Sequence, residues 1–340
     1  DEMLQRLADP WWFQAFGCVL GFDWHGFGLT TVTCGAMKEA CRIYGDDLGI
    51  CVAGGKGGGS RTTPQQIDTI AHRLALSCGD QLIHASRMSA KVDSAAVQDG
   101  YQIYAHSIFF DRRGRWGVVQ QGMNDGNGLA RRYHWLSDSV HDFVCEPHQG
   151  LHDCADAKAQ ATPLLNMVAQ EADANRSACT QLIQDRPDRL YDDLRRYTEG
   201  PTLFAPDRHR LLPKDVNPQR LRTILRHAHE QNPTDYAALL GADGVGPATV
   251  RALALLAELI HETPAARRDV NRPPVDHATD QRRRWADYAY AHGGKDGTPF
   301  PVDRETYDRS INILLDAVRQ ARLGDNDKNK ALKRLVPFCR

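Results

Sequence analysis

The stretch LLGADGVGPATVRALALLAEL, residues 239–259, has two apolar runs of helical spacing with Gly244-Val245-Gly246 between them. Glycine permits positive φ and lets another backbone come close, so it suits an abrupt turn between two helices. Pro247 fits the first turn of the second helix, because the N–H that it lacks would have no partner there. The first N–H groups of that helix lie at the positive end of its dipole and suit a phosphate oxygen. The stretch predicts a tight, anion-accepting helical turn; the alternative is a glycine cap in an ordinary bundle.

Residues 235–261 as a whole resemble a helix–hairpin–helix module, which binds the DNA backbone without reading its sequence. Besides the backbone of Gly244 and Gly246, the side chains of Thr249 and Arg251 could contact the same phosphate or the next one. Further along the chain, Lys295 in a glycine-rich loop and Arg304 are predicted to contact DNA. The sequence thus predicts a nucleic-acid partner that is bound through its backbone.

The bulk properties of the chain are those of a globular protein. Its 340 residues suggest about two domains, and 41% of them are hydrophobic. The net charge of −1 gives no global basic field, so any DNA contact would need a local basic patch. No apolar run reaches the ~20 residues of a membrane span, and no signal peptide is visible. Nine cysteines without a Cys-x-x-Cys pair indicate reduced thiols, and we expect a cytoplasmic protein without a membrane partner.

The fold class expected from the pattern is an α/β or α+β amino-terminal domain with a mixed sheet, followed by an all-α domain that contains the hairpin. The boundaries expected are 1–155 for the first, 156–215 for a helical connection, and 216–340 for the second. AFGCVLGF and LGICVAGG predict buried strands, and QIYAHSIFFDRRGRWGVVQQGM predicts a β-hairpin around its Arg-Arg-Gly-Arg. Helices are expected at 63–79, 217–231, 234–240, 247–261 and 303–322.

A glycine-rich basic segment, AGGKGGGSRTTP, follows the strand that LGICVAGG predicts. It does not match a P-loop, because Lys56 is followed by Gly57 instead of Ser or Thr. Its backbone N–H groups, with Lys56 and Arg61, could still surround a phosphate. The equal alternative is a surface loop without a ligand.

Polar residues recur beside the apolar runs of the first 150 residues. Asp23 and His25 stand two apart, which would place both on one face of a strand. Carboxylates and imidazoles together suit Mg²⁺, Mn²⁺ or Zn²⁺, and Mg²⁺ or Mn²⁺ is the expected cofactor. The alternative for each residue is a cap, a turn former or a satisfied polar group. The candidate catalytic and metal-binding residues are Asp23, His25, Lys91, Asp93, Asp99, Glu146 and His148. A less expected zinc site would use Cys145, His148, His152 and Cys154.

Several of these stretches together resemble one family, DUF763, of archaeal and bacterial proteins. The resemblance rests on TTVTCGAMKEA, VAGGKGGGSRTTP, AKVDSAAVQDGYQIY, VVQQGMN, ARRYHW, GADGVGPATVRALALLAELI and AHGGKDGTPFPVDRETYD. It spans nearly the whole chain and implies a DNA-associated protein or a nuclease, without residue roles. Other members begin with a further segment rich in Leu, Pro, His and Trp, which leaves open whether an amino-terminal segment is missing here.

The sequence is therefore consistent with three functions. The first is a metal-dependent DNA nuclease of repair or processing, in which Lys91 would neutralise charge in the transition state. The second is a glycosylase-like repair enzyme using Asp303 in FPVDRETYDRSI, although a helix cap is the favoured role for this carboxylate. The third is a non-enzymatic DNA-binding protein. The sequence leaves a homo-oligomer open.

Overall fold

The structure is a computed structural model that describes residues 2–20, 22, 28–125, 129–153, 165–185, 189–190, 192–193, 218–270, 304–321 and 324–335. The helices of this part of the chain are α1 (Glu2–Ala8), α2 (Pro10–Val19), α3 (Gly28–Tyr44), α4 (Gly58–Arg61), α5 (Thr63–Leu74), α6 (Gly79–Lys91), α7 (Asp173–Asp185), α8 (Pro218–Glu230), α9 (Tyr236–Gly241), α10 (Pro247–His261), α11 (Arg304–Gln320) and α12 (Asp325–Leu335). The strands are β1 (Cys51–Lys56), β2 (Val97–Gln98), β3 (Gln102–Phe110), β4 (Trp116–Asn124), β5 (Leu129–Leu136), β6 (Gly150–Asp153) and β7 (Leu165–Asn166).

The main sheet has five strands in the order β1-β3-β4-β5-β6, and each neighbouring pair is antiparallel. The predicted β-hairpin is confirmed: β3 and β4 pair around the turn that contains Arg112, Arg113 and Arg115. An α/β region followed by helices is also confirmed, but the sheet is antiparallel where a mixed sheet was expected. The reason is that β3, β4 and β5 follow one another after short connections in the sequence, whereas parallel neighbours need a long crossover.

The stretch AFGCVLGF, expected as a strand, is wrong as a strand prediction. Residues 15–19 belong to α2, which begins at Pro10. The Asp9 carboxylate accepts the N–H groups of Trp11 and Trp12 and so caps this helix. A short apolar run is compatible with a buried strand and with a buried helix. Asp9 and Pro10, directly upstream, are a helix-start signal and favour the helix.

Helices cover both faces of the main sheet. One core lies between the sheet and α1 to α3, and its buried residues include Leu7, Phe13, Leu29, Phe109 and Val119. The second core lies on the other face, where α5 and α6 pack through Ile67, Leu82 and Met88 on Ile108, Val118 and Trp135. Neighbouring strand residues alternate between the two cores, as expected for a sheet buried on both sides.

Helices α8, α9 and α10 join this second core. Its buried members include Leu225 of α8, Leu239 of α9, and Val250 and Leu253 of α10. The predicted helices 217–231, 234–240, 247–261 and 303–322 are confirmed within two residues at each end. No helix of the described residues is long and apolar enough to cross a membrane.

Candidate functional site

The turn between α9 and α10 has an exposed residue at Gly244 and a half-exposed one at Gly246. Gly244 has φ +82° and packs against Ile224 of α8, so a side chain would be strained there. Gly246 precedes α10 in an extended conformation (φ −140°, ψ −170°) and provides no side-chain cap. A Cβ added at Gly246 would find only the Gly244 carbonyl oxygen, 4.0 Å away. Among the described residues, the space that a side chain at position 246 would occupy is therefore open.

The amino terminus of α10 has backbone donors to offer. The bond from Val250 N to Gly246 O, 3.0 Å long, is the first full turn of the helix. The N–H groups of Ala248 and Thr249 precede that bond and have no acceptor within a helix. Thr249 as a residue is only 3% exposed, which does not favour the predicted contact of its side chain with a phosphate. These donors and the helix dipole make this end of α10 suited to an anion.

Two residues of the α/β part of the chain form hydrogen bonds with the turn and with the start of α10. Lys91 Nζ, at the end of α6, donates to Val245 O at 2.5 Å and to Ala242 O at 3.3 Å. Gln98 Nε2 donates to Pro247 O at 2.9 Å, and Gln98 Oε1 accepts from Arg251 Nε at 2.9 Å. The predicted transition-state role of Lys91 does not fit this position, because its ammonium group faces the carbonyls of the turn.

The glycine-rich basic segment forms a second exposed turn, at the end of β1. Gly54 has φ +101°, and a Cβ there would lie 2.2 Å from the carbonyl oxygen of His106. Lys38 donates to the carbonyl oxygen of Gly54 at 2.6 Å, within the strand that leads into this turn. Lys56 and Arg61 are exposed, and Lys56 Nζ lies 5.9 Å from the centre of the Tyr104 ring. Both cations remain accessible to a phosphate.

Asp93 is the centre of a buried polar network on the second face of the sheet. It lies in a π-helical turn, Val92–Ala96, that continues α6. Its Oδ2 accepts from Gln120 Nε2 at 2.5 Å and from Trp135 Nε1 at 2.9 Å. Its Oδ1 lies 2.5 Å from His148 Nε2. Asp93 is fully buried, so its contacts are those of an internal polar network.

The network fixes the proton position on His106. Because Gln120 uses its amide nitrogen on Asp93, its Oε1 faces His106 Nδ1 at 2.9 Å and must accept. His106 is therefore protonated on Nδ1, and its Nε2 accepts from Ser86 Oγ at 2.8 Å. Burial lowers the pKa of His106, which agrees with a neutral ring.

Asp99 belongs to a different cluster, built around a buried arginine. Arg131 Nη1 donates to Asp99 Oδ2 and to Asp269 Oδ1, both at 2.9 Å. Tyr133 donates its hydroxyl to Asp99 Oδ2 at 2.7 Å. Burial raises the pKa of Asp99, and the Arg131 charge opposes that rise. The carboxylate is thus occupied by a guanidinium group and a phenol.

Glu146 belongs neither to the Asp93 network nor to the Asp99 cluster. It forms an ion pair with Arg268, which also binds Glu171, and its Oε1 accepts the backbone N–H of Gln170 at 3.0 Å. The expected ligands thus separate: Asp93 and His148 touch each other, while Asp99 and Glu146 have other partners. Within the described ranges, no group of three or more His, Cys, Asp or Glu side chains could hold a metal ion.

Several predicted site residues lie outside the described residues. They are Asp23, His25, Cys154, Lys295 and Asp303. Arg304 begins α11, and its side chain is likewise outside what the structure describes. The metal, the zinc alternative and the glycosylase alternative therefore remain predictions.

Comparison with known proteins gave one family. The sequence model of the DUF763 family, which is described as a protein of unknown function, matches residues 1–302 of this chain. Neither the curated proteins nor the solved structures gave a match.

Proposed function

Because this chain belongs to the DUF763 family, whose description assigns no activity, we propose a function from its own geometry: it binds the DNA backbone at the turn between α9 and α10. The supporting observation is the open amino terminus of α10 behind Gly246, with N–H donors that lack a helical acceptor. Contacts of this kind hold a phosphate without reading a base, so the expected binding is indifferent to sequence.

Basic residues lie on α8 and α10, the two helices that contain Ile224 and follow the turn, respectively. Ile224 of α8 packs against Gly244, and Arg220 lies one helical turn before it, on the same face and exposed. Arg251 of α10 adds a half-buried guanidinium group. The exposed Asp243 opposes them within the turn. A local basic surface of this size supports weak, salt-dependent binding, with a dissociation constant of about 10⁻⁴ to 10⁻⁶ M at physiological salt.

The proposal is tested by fluorescence anisotropy on two unrelated duplexes of one length, across a series of salt concentrations. We expect equal affinities, and log K falling linearly with log salt, because phosphate contacts release counterions. Replacing Arg220 by Gln should reduce the slope by about 1. The matched control is Arg319→Gln, an exposed arginine on α11, the helix that packs on α2. If the wild-type chain does not bind DNA at low salt, or if its affinity for DNA does not depend on the salt concentration, the proposal is wrong.

The same samples also test the nuclease hypothesis. Incubation with Mg²⁺, Mn²⁺ or EDTA, followed by a denaturing gel, detects cleavage of single- and double-stranded DNA. Cleavage that EDTA abolishes would favour a metal-dependent nuclease. Binding without any product would favour a non-enzymatic DNA-binding protein.

A further inference from the structure

Lys91, at the end of α6, contacts the turn between α9 and α10. Its ammonium group donates to the carbonyl oxygens of Ala242 and Val245, which lie on either side of Gly244. The side chain is half-buried, and that burial lowers the pKa of Lys91 while the charge of Asp243 raises it. An ammonium group that donates to two carbonyl oxygens has at most one N–H left to donate to a ligand.

Gln98 makes the matching contact at the start of α10. One amide group bridges two partners, because its nitrogen donates to Pro247 O and its oxygen accepts from Arg251. The nitrogen also donates to Ala95 O at 2.9 Å, which fixes the side chain to its own strand end. The two residues therefore bind both sides of Gly246 from elements about 150 positions away in the sequence.

We propose that Lys91 and Gln98 are positioning residues that hold the α9–α10 turn in its DNA-binding conformation without touching the DNA. The inference rests on the proposed function, and it assigns the α/β part of the chain a role in binding. When these carbonyl oxygens are already hydrogen-bonded, the turn keeps one conformation before a phosphate binds. The N–H groups at the start of α10 are then already in place. Binding then avoids the entropy loss of ordering the turn, which is the general advantage of preorganisation.

The test uses Lys91→Met in the full chain, because methionine keeps most of the buried stem and removes the ammonium group. Hydrogen exchange measured by mass spectrometry should rise in peptides covering residues 240–250 and stay unchanged in β3 and β4. DNA affinity should fall about tenfold, since the turn must now be ordered on binding. The slope of log K against log salt should not change, because no phosphate contact is lost.

The matched control is Lys38→Met. Lys38 is also partly buried and also donates to a glycine carbonyl oxygen, that of Gly54. This variant should raise exchange around β1 and leave exchange in 240–250 unchanged. Gln98→Leu provides a second variant if Lys91→Met does not fold, and it should loosen the start of α10 in the same assay.

Three results would decide against the inference. Unchanged exchange in 240–250 would mean that neither residue holds the turn. Unchanged DNA affinity in a loosened turn would mean that its order is irrelevant to binding. A salt slope reduced by about 1 in Lys91→Met would identify a direct phosphate contact instead. If the wild-type chain binds no DNA, the proposed function fails, whereas the exchange comparison still reports whether Lys91 and Gln98 fix the turn.

Discussion

Replacing Gly246 by Asp should separate the stability of this protein from its DNA binding. Gly246 occupies the cap position of α10 in an extended conformation that any residue adopts, and a Cβ there meets nothing closer than 4.0 Å. An Asp at this position would accept the N–H groups of Ala248 or Thr249. Because Gly is already a fair cap, the gain in folding free energy should be only a few tenths of a kcal/mol.

The effect on DNA should be opposite and larger. The new carboxylate would occupy the donors that a phosphate needs and would repel the phosphate charge. A hydrogen bond to a charged group contributes about 1.5–3 kcal/mol, so the loss of one corresponds to roughly ten- to a hundredfold in affinity. Thermal unfolding followed by circular dichroism gives the stability, and anisotropy on a duplex gives the affinity.

Two controls sharpen this comparison. Gly246→Ser adds a neutral cap and should lower the affinity much less. Gly244→Ala should instead lower the melting temperature, because φ is +82° and the added Cβ would lie 3.1 Å from Ile224. A Gly246→Asp chain that melts as the wild type and binds DNA with unchanged affinity would refute the assignment of this helix end to a phosphate.

Three further outcomes concern the fold that carries the site. Asp93→Ala should destabilise the chain by about 3 kcal/mol or more in urea unfolding, since it leaves buried donors without an acceptor; a smaller loss would contradict the network. Gly54→Ala should prevent normal folding, judged by gel filtration and circular dichroism, whereas Gly59→Ala should fold because its Cβ has room. Burial and the Arg132 charge lower the pKa of His134 and His152 well below 6.5. The unfolded chain therefore binds more protons below that pH, and stability should fall by up to about 1.4 kcal/mol per pH unit for each ring, measured by urea unfolding at pH 7.5 and 5.5.

Much of the helical part of the chain could be predicted from local signals. Gly246 and Pro247 mark the start of α10, and the predicted bounds 247–261 agree with the structure. The hairpin of β3 and β4 follows equally from two alternating runs around a turn. In these elements the residues that determine the structure are neighbours in the sequence.

The arrangement of the candidate site depends on distant residues, and sequence reasoning missed it. Nothing near Gln98 indicates that it binds Pro247, 149 positions away. Lys91 is basic and lies among polar residues, which is equally consistent with a phosphate ligand and with a support for the turn. Residue type alone groups Asp99 with Glu146, whereas tertiary packing gives them different partners, Arg131 and Arg268. Only the packed chain decides between these alternatives.

The shared core of the sheet and the later helices has a consequence for how the chain folds. Residues from Cys51 to Ala265 contribute to that single cluster, so its apolar surface closes only after most of the chain has been synthesised. Non-local contacts of this kind slow folding, because a long loop must be closed before the contacts are gained. On a ribosome, the apolar face of α7 that packs against α10 would stay exposed until α10 has been synthesised. We expect the nascent chain to depend on chaperone protection during that interval.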